Sequence, residues 1–415
     1  MAAGVIDGRY DPRAVISTLV DAGMRAALAV GTDRARSGSV LRETIDQLVT
    51  VGRDDLVDDV VVEHLARLVA PAWERGWSPV DLVHAVTHRF DATLGGLVAR
   101  AVLADPTLVR DDRPTVWSDQ LDQVRSRRAR RSSSPDDVGK LVHRFEVAVF
   151  LSRLPDVVGV VPPPSAWRTL AATPNTGPPR SDQQVDPRML ERVRALLAKA
   201  ESTTFDAEAE AFTGKAQELM AKYAIDAAMV AAAASGARSL AAGVEARRLH
   251  LDDPYAVQKA QLLGAVAAVN GGHVVWHEGW GFATVIGFPV ELELIELTFT
   301  SLLVQLTRSM TQAGAAGGRT RSASFRRAFV LSYAQRIAER LEEARRRADG
   351  AAQAEYGAAL VPVRAARRAA VQERSAEWFP NAGPMRTRSV DAGGWYAGRA
   401  AADAADLEPG LGQIT

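Results

Sequence analysis

The 415-residue chain contains no cysteine. That absence excludes a disulfide framework, a thiolate nucleophile, a Cys-ligated zinc site and an iron–sulfur cluster. Lysine is scarce as well: the 50 basic residues are 45 Arg and only 5 Lys, at Lys140, Lys199, Lys215, Lys222 and Lys259. A GC-rich genome produces the same bias, so an arginine run is a weaker sign of anion binding than usual. No stretch approaches the roughly 18–20 uninterrupted apolar residues of a membrane span, and the N-terminus lacks a signal-peptide pattern. The expectation is a soluble, cytoplasmic protein with no membrane contact. Catalytic motifs are missing too. Phe212-Thr-Gly214-Lys215 carries a Gly-Lys pair, but Ala209 stands where a phosphate loop needs its earlier glycine, and neither Gly-x-Ser-x-Gly nor His-Glu-x-x-His occurs.

What is present is ordinary globular material, 47% hydrophobic and 24% charged. The length suits about two to three domains of roughly 100–200 residues. Residues 1–154 read as a helical N-terminal domain. Val15, Leu19, Val20 and Met24 fall at helical spacing, and Ser78-Pro79 has the form of an N-cap followed by proline at the first helical position. Residues 155–187 hold Pro162, Pro163, Pro164, Pro174, Pro178 and Pro179 with little periodicity, which predicts an extended linker. Residues 188–226 predict a helical hairpin. One stripe is Leu190, Val193, Leu196 and Leu197; the other is Phe212, Ala216, Leu219, Met220 and Tyr223, and both need a further surface to cover them. An Ala-rich connector, 227–249, leads to an α+β C-terminal domain over 250–407. There two short strands, Gly271–His277 and Phe282–Ile286, flank a Gly279-Trp-Gly281 turn, and long helices follow from about Pro289 to Met310 and from Ser324 to about Ala348. The fold class is mainly α, becoming α+β in the second half with helices packed on a short β-hairpin.

The segment from Met189 to Ile225 carries Leu196, Leu197, Ala200 and Ser202 on one helix. Glu208, Ala211, Lys215, Ala216, Leu219, Met220 and Tyr223 follow on the next. In these positions it closely resembles a bacterial and phage family known as domain of unknown function 2786. Tyr255 to about Leu341 also looks like the companion region that often follows, with Phe325-Arg-Arg-Ala-Phe329 and Tyr333 as its recognisable part. The resemblance implies a cytoplasmic setting, linked to mobile elements, and supplies no activity.

Candidate chemistry is sparse. His84 and His88 share a helix face four residues apart, a chelating geometry that His64 or Asp91 would have to complete. The ordinary reading is a polar helix face with no metal. His273 and His277 would lie about 13 Å apart on a strand at roughly 3.3 Å per residue, too far for one ion. Glu291, Glu293 and Glu296 cluster where Pro289 opens a helix, and the helix dipole accounts for them. Glu293, Glu296 and His277 are the catalytic candidates, and no cofactor is expected.

Charge distribution is the most informative feature. Residues 311–400 contain 16 Arg against 8 acidic residues, a net of +8, and the other residues carry a net of −8. Arg319, Arg321, Arg326 and Arg327 gather around one helix start, where the dipole disfavours them. Arg345-Arg346-Arg347 are placed at the same helix's end, where the dipole favours them. Phe325, Phe329, Tyr333, Ile337 and Leu341 form its buried stripe, and Arg336 and Arg340 border it. Their partner is one of the three acids near Pro289, an external anion, or plain solvent. Gly393-Gly-Trp-Tyr-Ala-Gly398 reads as the entry to an Ala-rich helix that packs closely. The resulting expectation is a non-catalytic protein presenting an Arg-rich face (Arg319, Arg321, Arg326, Arg327, Arg336, Arg340) to nucleic acid or another acidic partner. The alternatives are a phosphodiester or peptide hydrolase built from Glu293, Glu296, His277 and Arg340, and a helical interaction scaffold.

Overall fold

The computed structural model describes residues 5–6, 9–29, 34–51, 54–126, 137–172, 187–202, 212, 215–216, 218–225, 227–228, 240–315, 322–383 and 392–404. The chain divides into two compact units, Met1–Pro174 with Gly279–Gly281, and Asn175–Glu278 with Phe282–Thr415. The described residues are mainly helical, with a small antiparallel sheet in the second half. Among them no helix is long and apolar enough to cross a membrane.

In the first unit a two-residue pairing of β1 (Val5–Ile6) with β2 (Arg9–Tyr10) precedes α1 (Pro12–Leu28), α2 (Arg34–Val51), α3 (Asp54–Glu74), α4 (Pro79–Arg89), α5 (Ala92–Ala104), α6 (Thr115–Ser126) and α7 (Asp137–Ser152). Short polar side chains start several of these. Asp11 accepts from the Arg13 amide, Asp91 from Leu94, and Ser78 from Asp81 with Pro79 following, as its spacing predicts.

The expected linker does not begin at residue 155. Residues 155–172 belong to the first unit and end in α8 (Trp167–Ala172). Trp167 is fully buried and sits edge-on to Trp117 at 5.2 Å, which sits edge-on to Trp73 at 5.6 Å. The Pro162 carbonyl accepts from the indole N–H of Trp117 (2.8 Å) and of Trp167 (3.0 Å), and the Val157 amide donates to the Arg75 carbonyl. Prolines that lack periodicity here hold an extended strap in place through carbonyls and one large anchor, so the segment is packed although irregular. Gly76, with φ of 85°, lies under this strap; a Cβ there would sit 2.1 Å from the Val157 carbonyl oxygen.

The second unit begins with α9 (Pro187–Ser202), whose Met189, Leu190, Val193 and Leu197 pack on Ala216 and Met220. The cover their stripes require comes from Val290 and Leu294 of α11 (Pro289–Ala315). The sheet has the order β3 (Glu245–His250), β5 (Phe282–Gly287), β4 (His273–His277), all antiparallel. The β4–β5 hairpin matches the expectation. β3 was hidden, because Glu-Ala-Arg-Arg-Leu-His offers one large apolar residue. One sheet face, with Val274, Ala283 and Val285, joins the core of α10 (Ala256–Val269), α11 and α12 (Ala323–Tyr356). The opposite face, with Val275 and Ile286, meets Ala370, Val371, Trp378 and Phe379 on and just beyond α13 (Leu360–Trp378).

Helix α12 starts at its cap Ser322, and Phe325, Phe329, Tyr333, Ile337 and Leu341 are all buried. It continues eight residues past the expected end near Ala348, because the Ala-rich stretch propagates it until Gly357, whose φ is 60°. Arg345-Arg346-Arg347 therefore lie inside the helix, and the dipole argument for them fails. Helix α14 (Ala392–Ala404) packs along α12 at backbone contact: a Cβ on Gly398 would sit 2.2 Å from the Phe329 carbonyl oxygen.

Candidate functional site

Three arginines of the basic segment reach backbone carbonyls at or near the ends of neighbouring helices. Arg340 donates to the Ala402 carbonyl in the last turn of α14. Arg345 donates at 3.2 Å to the carbonyl of Val269, the last residue of α10. Arg374 donates through two nitrogens, at 2.9 and 3.2 Å, to the Ala241 carbonyl within the short turn Leu240–Gly243. Terminal carbonyls have no partner within their own helix and carry partial negative charge, which a planar multi-donor cation satisfies well.

This resolves the environment of Arg336 and Arg340. Neither meets the acids near Pro289. Arg336 pairs with Glu339 at 2.9 Å, and Arg399 of α14 reaches the same carboxylate at 3.1 Å. The hydrogen bond from Arg336, reinforced by Arg399, holds the Glu339 carboxyl below its ordinary range. A depressed carboxyl contributes stability that is present above its unfolded pKa and lost as pH falls through its folded value. Glu339→Gln is therefore expected to lower the melting temperature near pH 7, with the two curves converging below about pH 4. Thermal unfolding across that range checks it. Beside Arg340, the Tyr333 hydroxyl is fully buried, and burial raises its pKa against the opposing pull of the Arg340 charge.

The acids opening α11 have separate tasks. Glu291 is buried and receives Arg367 through two nitrogens at 3.0 and 3.1 Å, and it also accepts from the Phe288 amide at 3.2 Å. Glu293 faces Arg194 of α9 at 3.6 Å, and Glu296 bonds Arg247 of β3 at 2.6 Å. His277 is 3.0 Å from the hydroxyl of Thr284, which is itself buried, and its ring lies against Phe282 and Phe379. The catalytic candidates Glu293, Glu296 and His277 thus engage partners on three different elements, with Arg340 bound to a fourth.

In the first unit His84 and His88 stack at 6.3 Å, and His84 Nε2 lies 2.8 Å from the Gly281 carbonyl oxygen. The two groups that could complete a metal site are occupied: His64 contacts Asp21, and Asp91 caps α5. Among the described residues no group of three or more His, Asp or Glu could hold a metal ion.

Of the six arginines expected on a binding face, Arg319 and Arg321 lie outside the described residues. Arg326 is half-buried and Arg327 exposed, and neither meets a carboxylate among the described residues. Arg346, placed at a helix end by its spacing, and Arg368, outside the expected binding face, are exposed on α12 and α13. The visible sign is the Arg364–Arg368 spacing of one helical turn; α13 gives little periodic signal because, among its described side chains, Ala370, Val371 and Ser375 are the buried ones.

The family model described as protein of unknown function DUF2786 matches residues 188–227, the α9 segment and the stretch that pairs with it. No curated protein and no solved structure matches the chain.

Proposed function

We propose that the second unit is a non-catalytic module that binds the phosphate backbone of a nucleic acid through the exposed arginines of α12. The observation that carries this reading is the pair Arg326 and Arg327. They are the fourth and fifth residues of a helix whose dipole disfavours cations at its start, without a carboxylate partner among the described residues. Arg336, Arg340, Arg345, Arg364, Arg367, Arg374 and Arg399 engage internal carboxylates or carbonyls, whereas Arg326 is half-buried and Arg327 exposed. Phosphate contacts of this kind are sequence-independent and strongly salt-dependent.

Fluorescence anisotropy with a labelled oligonucleotide at low salt tests the reading. Replacing both Arg326 and Arg327 by Ala is expected to weaken binding and to reduce the slope of log affinity against log salt by about two. Absence of binding by the full chain at low salt, or an unchanged slope in the double variant, overturns it.

A further inference from the structure

We propose that the elbow between α12 and α13 is a phosphate-binding site formed by Arg345, Arg364 and Arg368. Guanidinium groups from two helices meet at one carboxylate. Arg345 Nε lies 3.7 Å from Asp349, and Arg364 pairs with the same carboxyl group. Arg368 is one turn beyond Arg364 on the same face of α13, close enough for its charge to act on Arg345. Glu342 lies 3.8 Å from Arg345 and is itself half exposed. Among the described side chains Arg345, Arg364 and Arg368 outnumber Asp349 and Glu342 by one charge, and Arg346 nearby on α12 is exposed.

The Arg345 side chain is only 18% exposed, so solvent screens the crowding poorly. Burial, and then the charge of Arg364, both act against its protonated form. Its bond to the Val269 carbonyl fixes it at the end of α10, so it cannot swing into water without leaving that carbonyl unsatisfied. An anion entering the elbow relieves this repulsion. A phosphoryl group suits it better than a second carboxylate, because its tetrahedral oxygens accept from guanidinium forks on two helices at once. The phosphoryl group comes either from a small ligand, free phosphate or a nucleotide, or from a phosphodiester strand. Arg327 lies 18 residues up α12, about 27 Å at 1.5 Å per residue. The elbow is thus separate from the Arg326–Arg327 pair and does not depend on the reading above.

Isothermal titration calorimetry on the full chain, at ionic strength matched with chloride, tests it with two titrants: inorganic phosphate and a single-stranded oligonucleotide lacking terminal phosphates. Arg368 is exposed, so Arg368→Ala is expected to keep the wild-type melting temperature. Wild type should bind inorganic phosphate saturably, Arg368→Ala should weaken it about tenfold, and Arg327→Ala should leave it unchanged. If Arg368→Ala also weakens the oligonucleotide, the strand is the source of the phosphoryl group. If only phosphate binding is lost, the source is a small ligand; either result upholds the site. No saturable phosphate binding by the wild type, or equal affinity in wild type and Arg368→Ala, overturns it. An oligonucleotide that fails to bind anywhere counts against the nucleic-acid reading alone.

Discussion

Trp117→Ala will destabilise the first unit by about 3–5 kcal/mol, the range for truncating a large aromatic in a packed core. Trp117 is completely buried between two other tryptophans that meet it edge-to-face. Its indole N–H bonds the Pro162 carbonyl, but Trp167 donates to the same oxygen. The polar loss is therefore small and the cavity term dominates. Trp117→Phe, which keeps an aromatic ring between Trp73 and Trp167, should lose markedly less. The prediction includes a location: protease cleavage should appear first within residues 155–172, whose anchor Trp167 loses its neighbour. Denaturant unfolding followed by near-UV circular dichroism, with cleavage mapped by mass spectrometry, checks both parts. A loss under about 1 kcal/mol would mean that this core collapses around the missing ring.

Glu291→Ala will cost the second unit a comparable amount, about 3–5 kcal/mol, because it strands a charge in the interior. The side chains of Glu291 and Arg367 are only 10% and 11% exposed. The Arg367 guanidinium also lies 3.6 Å from the centre of the Phe288 ring, and Glu291 reaches back to the Phe288 amide as a capping residue. Arg367→Ala should cost nearly as much. The two losses should overlap rather than add, so the joint Glu291→Leu, Arg367→Met variant should recover most of the stability. A double-mutant cycle by urea denaturation decides this: additive losses would show that the pair is not the coupled unit its geometry describes.

Periodicity carried well where burial is periodic. The α12 stripe, the Ser78 cap, the β4–β5 hairpin and the apolar stripe of α9 follow directly from residue spacing. Elements built mainly from other interactions were not legible. Residues 155–172 are held by carbonyls and tryptophans, β3 pairs through its backbone while showing arginines, and the described side chains of α13 bury a single small patch. The same divide runs through the candidate site. The angle of Arg336 and Arg340 to the stripe indicated that both need partners. It could not indicate that one partner is Glu339, on the same helix, and the other a backbone oxygen of a helix about 60 residues further on. Carbonyls are present at every position, so no pattern of side chains singles out the one an arginine will meet.

The arginine-to-carbonyl bonds made by Arg340, Arg345 and Arg374 separate two quantities that a charge count merges. Exchanging these three for lysine would leave formal charge, isoelectric point and long-range field almost untouched. It would replace rigid forks, one of which grips a single oxygen with two nitrogens, by flexible ammonium groups that lack that shape. Such a protein would migrate in an electric field like the original while its helices lost their alignment. For this fold, the identity of the cation is part of the architecture and its sign alone is not.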